Sequence, residues 1–195
     1  MKRKIKILRI IHSLNPKWGG PANAIIDHSR YLINLGMKVD ILVNDDVKKK
    51  YSKTLGLKIF DMGKGQLGQY GFNIKLFLWL YRNREKYDFF IVHGLWSFYS
   101  LVARILVPNK FFILTHGQLD PYFGLNFLKS LKKKIYWSLI EKKNLYKCRS
   151  ILVTTKHEKT LLNRTYVNTK NIKKNLIRYG IFKKKLNKKK IKNFF

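Results

Sequence analysis

The sequence has little of several features that would place it among secreted or membrane-spanning proteins. Its one cysteine, Cys148, cannot form a disulfide within the chain, which excludes a small fold held together by disulfides. No apolar run approaches the length of about 18–20 residues that spans a bilayer. Lys6 and Arg9 interrupt the first apolar stretch, and no small-residue cleavage site follows, so a signal peptide is not predicted. We therefore expect a soluble, cytoplasmic chain.

Acidic residues are also scarce. The 195 residues include 10 Asp and Glu against 42 Lys and Arg, giving a formal net charge of +32. This charge attracts polyanions in general, but lysines are spread over nearly every predicted loop, so composition accounts for most of it. The acids do not cluster as a metal-dependent phosphotransferase requires, and the cysteine and histidine spacings leave no ordinary zinc site. No Gly-x-Gly-x-x-Gly, Walker lysine or Gly-x-Ser-x-Gly motif is present.

Short apolar segments alternate with amphipathic ones along the chain. Strands are predicted near residues 5–11, 39–43, 57–60, 89–92, 111–114, 151–153 and 172–177, and helices near 21–35, 73–87, 97–106, 125–147 and 157–164. Apolar strands without clean alternation indicate a parallel sheet that is covered on both faces. The expected fold class is α/β, with a doubly wound, mostly parallel Rossmann-like sheet.

Two predicted helices carry an apolar stripe. In the helix over 73–87 the face consists of Ile74, Phe77, Leu78 and Tyr81. In the helix over 125–147 the stripe consists of Leu128, Leu131, Ile135 and Leu139, and we interpret it as packing against the sheet. Lysines surround this second stripe, so contact with an anionic membrane surface is the alternative interpretation.

Histidines follow four of the predicted strands. They are His12, His93, His116 and His157, whereas His28 lies within the first predicted helix. Ligands of an open parallel sheet bind outside the carboxyl ends of its strands, where these four residues fall. A single histidine there is usually a loop or core residue, but four at one edge favour a polar cleft.

Two glycines, Gly19 and Gly20, precede Pro21 at the start of the first helix. The turn allows close approach of a ligand to the backbone, and the helix start offers free N–H groups to a phosphate or a sugar hydroxyl. A tight turn without a ligand explains the same residues equally well. The sequence leaves both interpretations open.

Five segments, in order and spacing, resemble glycosyltransferase family 4. They are residues 12–21 (HSLNPKWGGP) with the helix closing on 35–40 (LGMKVD), 92–96 (VHGLW), 115–121 (THGQLDP), 132–137 (KKKIYW) running into Glu141, and 154–158 (TTKHE). The agreement extends from about residue 5 to residue 181, nearly the whole chain.

This resemblance implies one half of a GT-B enzyme, in which two Rossmann-like domains face each other across a cleft. Such enzymes transfer a sugar from a nucleotide-sugar to a glycan or lipid-linked acceptor with retention and without a bound metal or other cofactor, here in cell-envelope polysaccharide synthesis. Carried over by position, His116 is the expected catalytic residue beside the reacting sugar. The expected substrate-binding residues are Gly19, Gly20, His93, Trp96 and Asp120.

The sequence departs from the family pattern after residue 181. We expect an amino-terminal domain over residues 1–181, a basic and disordered tail over 182–195, and no carboxyl donor-binding domain, because the family's pair of glutamates eight residues apart is missing. A companion chain would then supply the donor half, and the chain alone would transfer little sugar. The alternatives are a non-catalytic basic module that binds anionic lipid or nucleic acid, and a truncated relic.

Overall fold

One seven-stranded sheet organises the protein. The computed structural model describes residues 3–18, 20–46, 57–118, 134–162, 169 and 171–177. The strands in these ranges are β1 (Lys6–Ile11), β2 (Lys38–Val43), β3 (Lys58–Asp61), β4 (Phe89–His93), β5 (Phe111–Leu114), β6 (Ser150–Val153) and β7 (Lys174–Leu176). All neighbouring strands are parallel, in the order β3-β2-β1-β4-β5-β6-β7. The predicted doubly wound, Rossmann-like fold class is confirmed.

Helices connect and cover the strands. Those described are α1 (Gly20–Asn34), α2 (Ile74–Asn83), α3 (Phe98–Leu106), α4 (Lys142–Lys147) and α5 (Lys156–Leu161), with 3-10 turns at Pro16–Trp18, Gly68–Tyr70 and Arg84–Lys86. The side chains of Asn73, Ser97 and Thr155 accept hydrogen bonds from backbone N–H groups in the first turns of α2, α3 and α5. These caps satisfy donors that a helix start leaves unpaired, and so fix where each helix begins.

Two apolar layers enclose the sheet, because side chains alternate between its faces along each strand. In β1, Leu8 and Ile10 belong to the larger layer, which includes residues of α2 and α3. Ile7 and Ile11 belong to the smaller layer, which packs with α1. The central strands are therefore apolar on both faces, as a sheet buried between helices requires.

The structure corrects the predicted face of α2. Leu76 and Leu80 are fully buried, whereas Ile74, Leu78 and Tyr81 are exposed. The α-helix is also shorter than predicted: it ends at Asn83 and continues as a 3-10 turn. Nearly every residue from 74 to 81 is apolar, so the sequence pattern does not distinguish the buried face from the exposed one.

The predicted packing of the helix over 125–147 is wrong where the structure describes it. Ile135 and Leu139 are 54% and 61% exposed, while Trp137 and Leu145 are buried. Residues Trp137–Glu141 form a π-helix, whose wider turn changes the order in which side chains meet the core. Leu128, Leu131 and the predicted tail over 182–195 lie outside the described residues. No helix in the described part of the chain is long and apolar enough to span a membrane.

The observed face of α2 predicts unequal effects of two leucine substitutions. Leu80→Ala removes a fully buried side chain and should lower the free energy of unfolding by about 2–5 kcal/mol. Leu78→Ala, at a position that is 43% exposed, should cost less than about 1 kcal/mol. Urea denaturation followed by circular dichroism measures both. Equal losses would contradict the assignment of the buried face.

Candidate functional site

The centre of the sheet contains a topological switch point. From β1 the chain proceeds to β2 and β3 on one side, and then returns to β4 on the other side of β1. In an open parallel sheet the crevice outside the carboxyl ends of two such strands is the usual ligand site. His12 follows β1 at this edge, and His93 ends β4. The switch point therefore lies where the sequence predicts a polar cleft.

Arg9, in the middle of β1, is a fully buried basic side chain at this point. Its Nε and Nη2 atoms lie 3.1 and 3.0 Å from Nε2 of His93. Its Nη1 atom donates to the hydroxyl of Ser29 at 3.2 Å, and also to the carbonyl of Ile25. One guanidinium thus connects β1, β4 and α1 immediately below the crevice.

The structure brings together two of the predicted site residues, His93 and His116. Nδ1 of His93 lies 3.1 Å from Nε2 of His116, and the two rings stack with their centroids 5.3 Å apart. His93 is buried, while His116 is only partly covered and lines two cavities at the sheet edge. The resulting chain of contacts runs from Arg9 through His93 to His116.

The turn that carries His116 has an unusual backbone. His116 has a φ of 50° and Gly117 a φ of 75°, and a left-handed conformation is rare for a residue other than glycine. The carboxylate of Glu158 holds this turn by accepting hydrogen bonds from the Thr115 hydroxyl and the Gly117 N–H. Backbone conformations of this kind concentrate at functional sites, where the surrounding structure maintains them.

The turn after β4 is held in the same way. Trp96 has a φ of 59°, and its backbone N–H donates to Glu141 at 3.2 Å. Glu141 is fully buried in the π-helix, and burial raises the pKa of its carboxyl to about 7. The preceding N–H, of Leu95, donates to the side chain of Gln118. Two carboxyl groups and one amide therefore fix the loops that follow β4 and β5.

A cavity of about 410 Å³ opens above these loops. It is lined by aromatic side chains and by groups able to form hydrogen bonds, namely His12, Trp18, Gln69, Leu95, Trp96, Tyr99, His116 and Gln118. Trp18 stacks edge-on against His12, with ring centroids 4.6 Å apart. A pocket of aromatic walls with a few directed polar groups suits a small polar organic ligand.

A second cavity, of about 270 Å³, also has His116 in its lining. Glu158 and the predicted His157 line it together with Thr154 and Thr155. His116 thus lines two recesses at the same edge of the sheet.

The loop that carries Gln69 depends on Gly71. Its φ is 66°, and a Cβ there would lie 2.4 Å from Nδ2 of Asn44 and 3.2 Å from Nδ1 of His12. Asn44 itself donates to the carbonyl of Gly71 at 2.6 Å. Only glycine allows the loop to approach His12 this closely, so the wall of the larger cavity is fixed by backbone contact.

Burial and positive charge keep the histidines of the cluster neutral. Burial, followed by the charge of Arg9, lowers the pKa of His93 well below its ordinary value. Burial lowers the pKa of His116 to about 4, with Glu158 opposing and Arg9 reinforcing the effect. Burial and Arg9 also lower the pKa of His28 to about 4. His28, which lies in α1 and not at the edge of the sheet, is therefore within the electrostatic reach of Arg9.

The other predicted site residues are placed less centrally or not at all. Gly20 begins α1 and has open space around it. Gly19 and Asp120 lie outside the described residues. Arg9, Glu141 and Glu158 were not predicted as parts of the site, although Glu141 and Glu158 stand in two of the five segments that resemble the family. For Arg9 the available signal was its place in an apolar strand, because a buried strand rarely contains an arginine that has no structural partner.

The described residues contain no group of three or more His, Cys, Asp or Glu side chains arranged to hold a metal ion.

Comparison with known proteins gives one family match and several matches among solved structures. A family model described as Glycosyltransferase Family 4 matches residues 18–174. No curated protein sequence matches the chain.

Solved structures share the fold. HepE of Anabaena, crystallised with UDP and glucose, aligns with a TM-score of 0.61 at 14% sequence identity over 91% of this chain and 45% of its own. A glycosyltransferase of Rickettsia africae aligns with a TM-score of 0.58 at 18% identity over 91% of this chain and 44% of its own. The chain thus spans less than half the length of either protein.

The matched segment covers most of the chain, including β2 to β6 and the turns that hold His93, Trp96 and His116. The chain belongs to glycosyltransferase family 4. The resemblance drawn from the five sequence segments is confirmed.

The lowered histidine pKa values predict that acid destabilises the fold. Between about pH 6.5 and 4 the unfolded chain binds protons that folded His28, His93 and His116 do not, so stability falls as pH falls. Glu141 acts in the opposite direction. Its carboxyl is protonated near pH 7 when folded but only near pH 4.5 when unfolded, so it adds stability as pH falls through this range.

We therefore expect the urea concentration at the unfolding midpoint to decrease as pH is lowered from 6.5 to 4.5. The decrease should be steeper in the Glu141→Gln variant, which lacks the opposing proton uptake. Urea titrations of both proteins at half-unit pH intervals measure the two slopes. The difference between them isolates Glu141 from every other titrating group. Parallel slopes would show that this carboxyl is already ionised in the folded protein.

Proposed function

We propose that this chain is the acceptor-side half of a retaining glycosyltransferase that takes a nucleotide-sugar as its donor. The observation that carries the proposal is the Arg9–His93–His116 chain of contacts, which ends in the lining of two cavities at the switch point of a family 4 domain. HepE, which shares the fold, was crystallised with UDP and glucose, and this supports a nucleotide-sugar donor. The proposed acceptor is a glycan or a lipid-linked sugar of cell-envelope polysaccharide synthesis.

In this proposal His116 lies beside the reacting sugar. It is neutral at physiological pH, and the rigid turn that carries it keeps the ring at the border of both cavities. Trp18 and Trp96 give the larger cavity flat apolar walls, against which the face of a sugar ring can pack. His93 supports His116 from below, and Gly19, Gly20 and Asp120 remain proposed substrate contacts.

A two-domain enzyme of this family needs a donor half, and we propose that a companion chain supplies it. Contacts to the nucleotide and its diphosphate would lie mainly on that half, and without them neither the sugar nor the leaving group is positioned. The nucleotide-sugar is a substrate in this scheme, and no other cofactor is proposed.

Substitution of His116 tests the assignment. Together with a companion chain that carries the donor half, this chain should transfer radiolabelled sugar from one of the UDP- or GDP-sugars to membrane extract, and should transfer little alone. His116→Ala should reduce the rate about 100-fold or more, the usual effect of losing a directed transition-state contact. Lys156→Ala changes an exposed side chain at the same edge that lines neither cavity, and should stay within about twofold.

Comparing the two alanine variants distinguishes a catalytic role of His116 from a general disturbance of this edge of the sheet. Equal losses in the two variants would contradict the role of His116. Absence of transfer from every donor, with both polypeptides present, would contradict the proposed function itself.

We also propose that the helix over residues 134–147 contacts an anionic membrane surface. Ile135, Leu139 and Tyr146 expose apolar surface there, and Lys143 and Lys147 are exposed beside them. Arg104, Lys142 and Lys143 also line a recess of about 650 Å³ against this helix. Apolar side chains among basic ones are typical of helices that lie in the headgroup region of anionic bilayers.

Vesicle sedimentation tests the membrane contact. The chain should sediment with phosphatidylglycerol vesicles and only weakly with phosphatidylcholine vesicles. Leu139→Asp should lower the vesicle partition coefficient about tenfold more than Ser138→Asp does. Both substitutions add one negative charge, but only the first removes a large apolar side chain. Equal binding of both variants would show that the apolar face does not enter the bilayer.

A further inference from the structure

The donors around His93 define the protonation of its ring. A guanidinium has only N–H donors and no acceptor, so both contacts from Arg9 require a lone pair on Nε2 of His93. The ring proton of neutral His93 must then be on Nδ1. The hydrogen bond made by one ring nitrogen thus determines the state of the other.

The same reasoning extends to His116. Nδ1–H of His93 points to Nε2 of His116 at 3.1 Å, so this Nε2 atom must accept the hydrogen bond. The ring proton of neutral His116 is therefore on Nδ1. A free histidine in water favours the opposite tautomer, with its proton on Nε2, so the fold imposes this state.

We infer that Arg9 is a positioning residue which, through His93, holds His116 as the neutral Nδ1–H tautomer. In that state Nδ1 of His116 carries the ring proton and can donate a hydrogen bond but not accept one, and Nε2 is already engaged and cannot take up a proton. This inference rests on the proposed function, since it specifies what His116 does in the transfer. It assigns His116 the role of a hydrogen-bond donor and excludes that of a general base.

The packing around Arg9 supports a fixed role. Its guanidinium is fully buried, and the Ser29 hydroxyl and the Ile25 carbonyl hold the nitrogen that does not face His93. The backbone carbonyl of His93 also accepts from the hydroxyl of Tyr99 at 2.9 Å. Both ends of the Arg9–His93 contact are thus anchored to helices, so the guanidinium cannot leave Nε2 without breaking several hydrogen bonds.

Nitrogen NMR of the histidine side chains tests the inference without measuring activity. In the whole chain labelled with ¹⁵N-histidine, long-range ¹H–¹⁵N correlations at pH 7 distinguish the two tautomers. We expect both His93 and His116 as Nδ1–H, each assigned by loss of its signal on substitution. A spectrum with His116 as Nε2–H, or protonated on both nitrogens, would overturn the inference.

Variants test the dependence on Arg9. Arg9→Met removes the donor to His93 at similar length, so His93 and His116 should both shift toward Nε2–H. A folded Arg9→Met protein whose His116 tautomer is unchanged would overturn the positioning role.

A second pair of variants serves if Arg9→Met does not fold. His93→Gln offers an amide oxygen to Arg9 and an N–H₂ group to His116, and should keep His116 as Nδ1–H, whereas His93→Leu should not. Equal His116 spectra in these two variants would also overturn the inference.

Activity separates this inference from the proposed function. In the transfer assay with the companion polypeptide, His93→Gln should retain at least ten times the kcat of His93→Leu, with similar KM, because it preserves the state of His116. Equal kcat values in an active enzyme would overturn the positioning role. If NMR shows His93 and His116 as Nδ1–H but the protein transfers no sugar, the proposed function is overturned and the assigned ring states stand.

Discussion

The contact between Arg9 and His93 is the interaction on which the site depends. Arg9 occupies a position of β1 whose neighbours on the same face, Ile7 and Ile11, are apolar and buried. A charged group there is costly unless it is hydrogen-bonded. Its partners are distributed over β4 and α1, so satisfying this one side chain fixes the spacing of the two central strands and the position of the first helix against them.

The loops at the carboxyl edge are held by contacts within the protein. Glu158 binds the turn of His116, Glu141 binds the turn of Trp96, and Gly71 lets a neighbouring loop press against His12. Two of these turns include non-glycine residues with positive φ, a conformation that costs about 1–3 kcal/mol each. The fold meets this cost through partly buried hydrogen bonds to Glu141 and Glu158, which is the arrangement expected where a group must keep its geometry during a reaction.

Local patterns predicted the strands and most of the helices. They also predicted the edge to which the histidines belong, because parallel strands bring their carboxyl ends together. The buried face of α2 was not predictable in this way, since the helix has apolar side chains of its own on every face. Packing against neighbouring elements determines that Leu76 and Leu80 are the buried ones. The π-helix before α4 likewise changed the phase of the stripe that contains Leu139. Arg9 was interpreted as an interruption of an apolar run, because its partner His93 is 84 residues away.

That separation has a consequence for how the protein is made. β1 is synthesised before the other strands of the sheet and lies inside it, third of the seven described strands in spatial order, but its neighbour β4 is synthesised much later. At about 5–20 residues per second, the 84 residues between Arg9 and His93 take roughly 4–17 s to appear. During this interval the guanidinium remains hydrated and one side of β1 has no neighbouring strand. The strand order therefore sets a period during synthesis in which the edge of β1 that later pairs with β4 is open.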